Sequence, residues 1–276
     1  MTSPQVTPRV LRSSVLGLGV SRGLAEIRVY VRDVQAVCFG LALPVGLMLL
    51  FGTLFQGEVT GTHVPVRDLI VAGVCASAIM SVAFGSLGSA VAADMSDGTM
   101  KRILATPFPL ASYFIAKVVQ AAVLAFVDVG AVLLVAVLWF GFRLPVDPAR
   151  WVTFAWVCAM GVAAACAMGF LVGSLIKDPK KSSGAIQFPF IFLQFLSGVY
   201  YSFRGLPSAL QHVGALFPLK WMAQGMRAAL LPDGMRSAEV AGSFELERSS
   251  AILLLWVCVL LPLCFWSVRR RIRGRS

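Results

Sequence analysis

The charged residues that could do chemistry in this chain gather in one short polar segment, Ala92–Leu110, between two strongly apolar stretches. The segment reads AADMSDGTMKRILATPFPL and contains two acids near its start, Asp94 and Asp97, followed by two bases, Lys101 and Arg102. A chain that leaves the apolar phase for so short a distance and then returns must present these groups to water or to another protein. Which of the two it does decides the function of the segment.

The polar segment is predicted to contain a short two-faced helix. Ser96 or Asp97 can cap its N-terminus, where an acid also suits the helix dipole. Met100, Ile103 and Leu104 then share one face, and the two bases lie on another. Such a helix, at the junction of two membrane spans, can dock into a groove of another protein. The alternative is a capped turn whose bases only help to orient the neighbouring spans.

One acid lies inside an apolar run: Asp128, eleven residues beyond Lys117 and thus near the middle of a predicted span. A central Asp costs roughly 2.5–3.5 kcal/mol on insertion scales, which the surrounding Leu, Val and Phe residues offset. Its side chain is therefore expected to face protein or water instead of lipid. It could form a structural hydrogen bond, or it could line the substrate path and bind a polar or cationic group there.

Other catalytic and metal-binding patterns are missing from the sequence. It has no G-x-x-x-x-G-K-[ST], and hence no P-loop for ATP, no H-E-x-x-H and no G-x-S-x-G. His63 and His212 stand alone, and all six cysteines fall inside apolar runs, which is typical of small buried side chains. We therefore expect no metal and no cofactor on this chain, and no enzymatic activity of its own.

The elements that position these residues are predicted to be membrane-spanning helices. Of the 276 residues, 58% are hydrophobic and 13% are charged, against about a quarter charged in a soluble domain. A span needs about 20 mostly apolar residues. The predicted fold is an all-α integral membrane protein with six transmembrane helices, whose spans lie at about 34–55, 69–93, 118–140, 151–176, 184–202 and 251–268.

The basic residues predict the orientation of these spans. The net charge of +11 does not indicate nucleic-acid binding, because the bases form short clusters beside apolar runs. With the N-terminus inside, 16 of the 24 Lys and Arg residues fall on the cytoplasmic side. Both termini are thus predicted to be cytoplasmic, and residues 269–276 to form a basic cytoplasmic tail.

An amphipathic helix is predicted before the first span. Val20, Leu24, Ile27 and Val31 recur at helical spacing, while the charged residues between them point elsewhere. Such a helix lies in the membrane interface instead of crossing it. Residues 1–33 are therefore predicted to form a cytoplasmic N-terminus with an interfacial helix, ahead of a transmembrane domain over residues 34–268.

A second non-spanning segment, residues 203–250, precedes the last span. Its first half is too apolar for a free loop, and Pro207 and Pro218 divide it into two short helical pieces. Irregular backbone at membrane depth must be covered by protein. We predict an extracellular re-entrant helical hairpin.

Two of the spans carry small residues at every fourth position. Lipid tails are as apolar as Leu, so helices associate where small side chains let their backbones approach. The second and fourth spans are therefore predicted to pack closely through Gly73, Ser77, Ser81, Gly85, Gly161, Ala165, Gly169 and Gly173.

The stretch D-G-T-M-K-R-I-L-A-T-P resembles the cytoplasmic signature of type-2 ATP-binding-cassette (ABC) exporter permeases, since a small-residue span precedes it and another span follows. The resemblance is closest to the daunorubicin-resistance type, which includes lipid and other drug exporters, and it covers about residues 15–270. The interfacial elbow helix and the six spans with both termini inside agree with it. So does the pattern L-P…F-P-L…A-x-x-x-R, formed here by Leu206, Pro207, Phe217, Pro218, Leu219, Ala223 and Arg227.

The resemblance implies a permease subunit of a bacterial cell-membrane exporter for a hydrophobic or amphipathic drug, antibiotic or lipid. Two six-span subunits, identical or homologous, would line one pathway, and two separate ABC ATPase subunits would carry ATP and Mg. The alternatives are carbohydrate or polysaccharide export, a proton-coupled secondary transporter, and a membrane scaffold without transport. The polar segment resembles the family's ATPase-coupling helix, which implies that role for Asp94, Asp97, Gly98, Thr99, Lys101 and Arg102.

Overall fold

The structure is a computed structural model that describes residues 14–104, 109–176, 178 and 182–273. Its regular elements in these ranges are helical, and the strand-like pairing there is an isolated bridge between Glu58 and Pro65. The α-helices are α1 (Val15–Arg32), α2 (Val34–Leu54), α3 (Val66–Met80), α4 (Leu87–Ser96), α5 (Thr99–Leu104), α6 (Leu110–Phe140), α7 (Pro148–Leu175), α8 (Ser182–Leu196), α9 (Ser208–Leu216), α10 (Pro218–Leu230) and α11 (Leu246–Arg273).

The predicted all-helical membrane fold is confirmed. Within the described residues, four helical rods are long and apolar enough to cross a membrane, namely Val66–Ser96, Leu110–Phe140, Pro148–Leu175 and Leu246–Cys264. The first and fifth predicted spans correspond to the shorter apolar stretches Gly40–Leu54 and Gly184–Leu196, and for them membrane crossing stays a prediction.

Two predicted helix ends differ from the structure. The fifth predicted span extends to Ser202, but α8 ends at Leu196, and Gly198 turns the chain with a φ of +66°. Its 15 residues rise about 22 Å, less than the roughly 30 Å of a hydrocarbon core. At the other end of the chain, α11 continues to Arg273, so the predicted basic tail is helical as far as that residue. Residues 274–276 lie outside the described part, as do residues 1–13.

The centre of the bundle is a rod formed by α3, a π-helical segment at Ser81–Ser86, and α4. In its most apolar window 89% of the residues are buried, against 17% in the corresponding window of α11. Its α3 half contacts α2, α6 and α10, and its α4 half contacts α7 and α8. The polar segment follows directly on this rod, so its position is tied to the most buried element of the protein.

The small residues of the central rod contact different elements before and after the π-helical segment. A π turn inserts one residue into an α-helix and so advances the side chains that follow it. Before this segment, Gly73 touches the turn that follows α8, because a Cβ at Gly73 would lie 2.0 Å from the carbonyl oxygen of Val199. After it, the fourfold spacing from Gly85 would select Ser89, yet Ser89 is half-buried and the neighbouring Gly88 is the buried residue that faces α7.

The small residues of α7 lie against the central rod and α10. A Cβ at Gly173 would lie 2.3 Å from the carbonyl oxygen of Gly88, and one at Gly169 would lie 2.8 Å from that of Ala83. Gly161 faces the Met222 side chain of α10. The other small residues predicted to pack differ in their burial and contacts. Ala165 and Ser77 are buried, Ser81 is half-buried, and Gly85 faces the Gln187 side chain of α8.

Helix α1 packs lengthwise on the first half of α6, and the face it uses is not the apolar one. Gly19 and Gly23 lie against α6, and a Cβ at Gly23 would come within 2.8 Å of the Ala116 carbonyl oxygen. The apolar residues Val20 and Leu24 are 41% and 46% exposed. Part of the apolar face is thus left uncovered, and the position of α1 in the membrane interface stays a prediction.

Candidate functional site

The polar segment turns sharply at Gly98. Helix α4 ends at Ser96, whose hydroxyl donates back to the Ala93 carbonyl oxygen at 2.8 Å. Gly98 then takes a φ of +75°, a left-handed conformation that suits glycine, and α5 begins at Thr99. The predicted cap of the short helix by Ser96 differs from the structure, because the hydroxyl is used by the preceding helix and the backbone of Gly98 makes the turn.

The short helix α5 has two faces. Met100 and Ile103 are buried, at 2% and 8% exposure. Arg102 is exposed, and one of its guanidinium nitrogens donates to the Asp97 carbonyl oxygen at 3.3 Å. Asp97 is exposed too, whereas Gly98 and Thr99 are half-buried. The Lys101 side chain lies outside the described part of the structure.

Asp94 is separated from the other residues of the proposed coupling set. Its carboxylate accepts a hydrogen bond from the Tyr113 hydroxyl at 2.8 Å, and it lies 3.3 Å from the Lys117 ammonium group. Both partners come from the first turns of α6, and both are buried. Asp94 is thus directed into the protein, so the contact with another subunit that the resemblance implies for its side chain is not the one it makes here.

The cluster continues into α1. The Lys117 ammonium group lies 3.0 Å from a Glu26 carboxylate oxygen, and Glu26 also pairs with Arg22 at 3.1 Å. The Arg22 guanidinium stands over the Tyr113 ring, 5.4 Å from its centroid. We call Arg22, Glu26, Asp94, Tyr113 and Lys117 the junction cluster.

The junction cluster joins three elements at one end of the bundle. Arg22 and Glu26 belong to α1, Asp94 to the end of the central rod, and the other two residues to α6. Ion pairs with little exposure are screened less than surface pairs, and removing one partner leaves the other charge buried. The junction cluster therefore links the end of α4 to α1 and α6 through charge contacts.

Sequence reasoning did not find this cluster. The sequence predicts only that the charged residues of the N-terminal helix, Arg22 and Glu26 among them, point away from its apolar face, and it predicts no partner for Lys117. The available signals were local, namely the spacing of four between Arg22 and Glu26 and between Tyr113 and Lys117. Such pairs share a helix face. Which helix that face meets is decided by tertiary packing.

Asp128 is buried on α6, at 7% exposure. Burial, followed by the negative charges of Asp128 and Asp33, raises the pKa of the Tyr30 hydroxyl in α1. The Asp128 carboxylate is therefore close enough to Tyr30 to interact with it electrostatically. An apolar cavity of about 390 Å³ between α3, α6 and α7 is lined by its neighbours Phe126 and Val129 and not by Asp128.

The motif residues before the last span form a compact module at the opposite end of the bundle. Pro207 directly precedes α9 and Pro218 is the first residue of α10, so both prolines stand where helices begin. Leu206 lies between a 3-10 turn and Pro207. Arg227 is 1% exposed and binds the Glu239 carboxylate with two nitrogens, at 2.6 and 3.2 Å. The partner Glu239 was missing from the sequence prediction.

A buried lysine lies in the same module. The ammonium group of Lys220 lies 3.3 Å from the centroid of the Trp221 ring and donates to the Gln224 side chain. Burial lowers the pKa of Lys220 to about 8, although Glu239 and Glu245 act in the opposite direction. These partners satisfy the ammonium group within the module, which gives it a structural role.

The fold, the long apolar rods and the polar segment at their junction define a multi-pass helical membrane protein. The family model described as ABC-2 type transporter matches residues 24–231. The chain therefore belongs to the ABC-2 type transporter family. The matched range begins within α1 and ends just after α10, so it includes the junction cluster except Arg22. A comparison with curated proteins finds no match.

Membership of the family identifies the chain as the membrane permease of an ABC exporter, a subunit that associates with an ABC ATPase and is generally not catalytic itself. The resemblance to ABC permeases expected from the sequence is confirmed, whereas the daunorubicin-resistance subfamily stays a prediction.

Proposed function

We propose that the chain is the permease subunit of an ATP-driven exporter of the daunorubicin-resistance type, which effluxes a hydrophobic or amphipathic drug, antibiotic or lipid from a bacterial cell. Two copies, or this chain and a homologue, form one pathway, and two ATPase subunits bind ATP and Mg. The observation that carries the proposal is a short two-faced helix, α5, which directly follows the central rod and is tied to α1 and α6 by the junction cluster.

The coupling role of α5 is supported by its two faces, one buried against the protein and one exposed. Met100 and Ile103 hold the helix to the protein, and Arg102 and Asp97 are exposed on the side available to a partner. Asp94 and Lys117 act from within by linking the end of α4 to α6. If a closing ATPase displaced α5, these contacts would carry the displacement to α1 and α6.

The orientation we propose places both termini and the polar segment in the cytoplasm and the α9–α10 module outside, with six spans. The excess of Lys and Arg at the termini and beside α5 supports it. Cysteines introduced at Ser96 and Asp147 should react with impermeant reagents from opposite sides of the membrane. Reaction of both from one side would contradict six spans.

The test of the function is ATP-driven transport by the chain reconstituted with its ABC ATPase. The double variant Lys101→Glu, Arg102→Glu should insert normally, because these residues lie outside the apolar rods. An ATPase surface that complements the two bases would repel the two glutamates, and like charges at an interface cost several kcal/mol. We therefore expect transport per ATP hydrolysed to fall by more than about tenfold.

The matched control is Arg204→Glu, an exposed arginine at the opposite end of the bundle that donates to the Ser237 carbonyl oxygen. It reverses a charge of the same sign without approaching α5 and should leave the coupling unchanged. Normal transport by the double variant would refute the coupling role of α5. Transport without any ATPase subunit would refute the proposed function as a whole.

A further inference from the structure

A groove of mixed charge opens at the end of the bundle opposite the junction cluster. It lies where α3 and α7 begin and α6 ends, and it encloses a cavity of about 710 Å³, within the size range of ligand pockets. Three arginines line it, Arg67, Arg143 and Arg150, together with Asp68 and Asp147. We call this cavity the distal groove.

Some charged side chains of the distal groove already have partners within the protein. Arg150 pairs with Asp233 at 3.3 Å and donates to the Leu231 carbonyl oxygen. The Asp147 carboxylate caps α7 by accepting from the Ala149 amide at 2.9 Å. These contacts occupy Arg150 and Asp147 within the protein.

Arg67 and Arg143 are the groove's available cations. Arg67 is half-exposed and approaches Asp68 only to 3.8 Å. Arg143 is exposed, and the residues that the structure describes include no ion-pair partner for it. The N-terminus of α3, preceded by Pro65, has no side-chain cap and adds the positive end of a helix dipole. The distal groove thus offers two guanidinium groups to an anion, beside one loosely paired carboxylate, Asp68.

An aromatic groove adjoins this charged one. Its cavity of about 490 Å³ lies between the ends of α2 and α6 and is lined by Phe55, Trp139 and Phe140. Arg67 and Pro65 line both cavities, so the two lie side by side at Arg67. The Trp139 side chain is 68% exposed, and tryptophans at the ends of spans mark the level of lipid headgroups.

This arrangement matches the chemistry of a zwitterionic phospholipid. Guanidinium groups bind phosphate oxygens through charge-assisted hydrogen bonds, and a carboxylate complements an ammonium group. The aromatic rings Phe55, Trp139 and Phe140 of the neighbouring cavity can contact the glycerol and first acyl carbons of a lipid, whereas a free phosphate has no group to place there.

We propose that the distal groove binds one phospholipid at the membrane surface, with its phosphate on Arg67 and Arg143 and the ammonium group of an ethanolamine-type headgroup on Asp68. The proposal requires that the chain span a membrane with this end at its surface. It does not depend on the substrate or on the ATPase.

The test is a lipid titration of the full chain, purified in detergent with any ATPase that accompanies it. Short-chain phosphatidylethanolamine should raise the thermal midpoint of unfolding in a saturable way, because a ligand that binds the folded state stabilises it. In Arg67→Gln, Arg143→Gln the apparent affinity should fall by about tenfold or more, the effect of losing a charge-assisted hydrogen bond. Arg204→Gln, at the same end but outside the groove, should behave as the wild type.

Further probes separate the sources of the stabilisation. The same lipid without its headgroup, a short-chain diacylglycerol, should have little effect, and so should inorganic phosphate or phosphoethanolamine. Equal stabilisation by phosphate would replace the lipid with a soluble anion, and equal stabilisation by diacylglycerol would leave no role for the arginines. Unchanged affinity in the double variant would overturn the proposal.

A second variant keeps the proposal testable if the double variant does not fold. Asp68→Asn removes the carboxylate assigned to the ammonium group. It should weaken binding of phosphatidylethanolamine and leave binding of short-chain phosphatidylglycerol, which has no ammonium group, unchanged or stronger. Equal weakening of both lipids would contradict the assignment of Asp68.

Discussion

At the scale of single residues, Lys117 is the cation that joins three helices in the junction cluster. Its ammonium group lies between two carboxylates, Glu26 at 3.0 Å and Asp94 at 3.3 Å, and its side chain is 9% exposed. A lysine so little exposed is stabilised only while its carboxylates remain in place. Lys117 therefore holds α1 and the end of α4 against the same turn of α6.

We expect Asp94 and Lys117 to be energetically coupled. In a double-mutant cycle with Asp94→Asn and Lys117→Gln, each single change should destabilise the purified chain, because it removes one partner from a largely buried network of charges. The interaction energy should be about 0.5–3 kcal/mol, the range for residues in one network. Thermal unfolding of the four proteins measures it.

The matched control for this cycle is the exposed pair Asp97→Asn and Arg102→Gln. Substitutions at exposed positions usually change stability by less than about 0.5 kcal/mol, so we expect near-additive effects there. Strict additivity of the Asp94 and Lys117 changes would mean that the 3.3 Å contact contributes nothing to stability.

At the scale of elements, the crossing of α7 over the central rod depends on glycine at the contact. A Cβ at Gly173 would lie 2.3 Å from the carbonyl oxygen of Gly88, which is backbone and cannot move out of the way as a side chain can. Gly88 lies just after the π-helical segment Ser81–Ser86 and is buried against α7, whereas Ser89 is half-buried.

The variant Gly173→Ala should therefore destabilise the bundle by about 1–3 kcal/mol, the cost of overpacking. Within a helix, alanine is normally more stable than glycine by about 0.5–1 kcal/mol. A loss of stability in Gly173→Ala would therefore point to the close contact and not to helix propensity. Gly130→Ala in α6 is the matched control, since a Cβ there meets nothing within 4 Å, and it should be neutral or stabilising. Thermal unfolding measures the stability of both variants. If the Gly173→Ala variant were more stable than the wild type, α7 and α4 could separate without a cost in free energy.

At the scale of the whole molecule, two polar ends are joined by apolar rods with one acid between them. The junction cluster and the α9–α10 module lie at opposite ends, and Asp128 is buried on α6 between them. A buried acid within a predicted span fits either a structural hydrogen bond or a place on the substrate path.

Export of a cationic substrate and a neutral analogue of similar size distinguishes the two roles of Asp128. If the carboxylate binds the substrate's charge, Asp128→Asn should selectively impair the cationic compound while expression stays near normal. If it forms a structural hydrogen bond, Asn should largely replace it, and Asp128→Leu should cost about 0.6–2 kcal/mol of stability. Equal impairment of both compounds in the Asn variant would exclude substrate binding.

The sequence alone determined the class of fold, because membrane insertion depends on the length and apolarity of local segments. Four spans and the polar segment at 92–110 follow from composition along the chain. The two faces of α5 also follow from local spacing, and Met100 and Ile103 are buried on one of them. The turn at Gly98 and the helix starts at Pro207 and Pro218 depend on residues whose backbone preferences are local as well.

Only the tertiary structure decided which polar residues meet. The whole of the first two spans separates Lys117 from Glu26, and Arg227 pairs with Glu239, which lies beyond the end of its own helix. Helix periodicity shows which residues share a face but not which element covers that face, since several apolar partners are equivalent by composition. The π turn at Ser81–Ser86 is a further case, because local helix preference does not predict it and it lies where α7 and α8 contact the central rod.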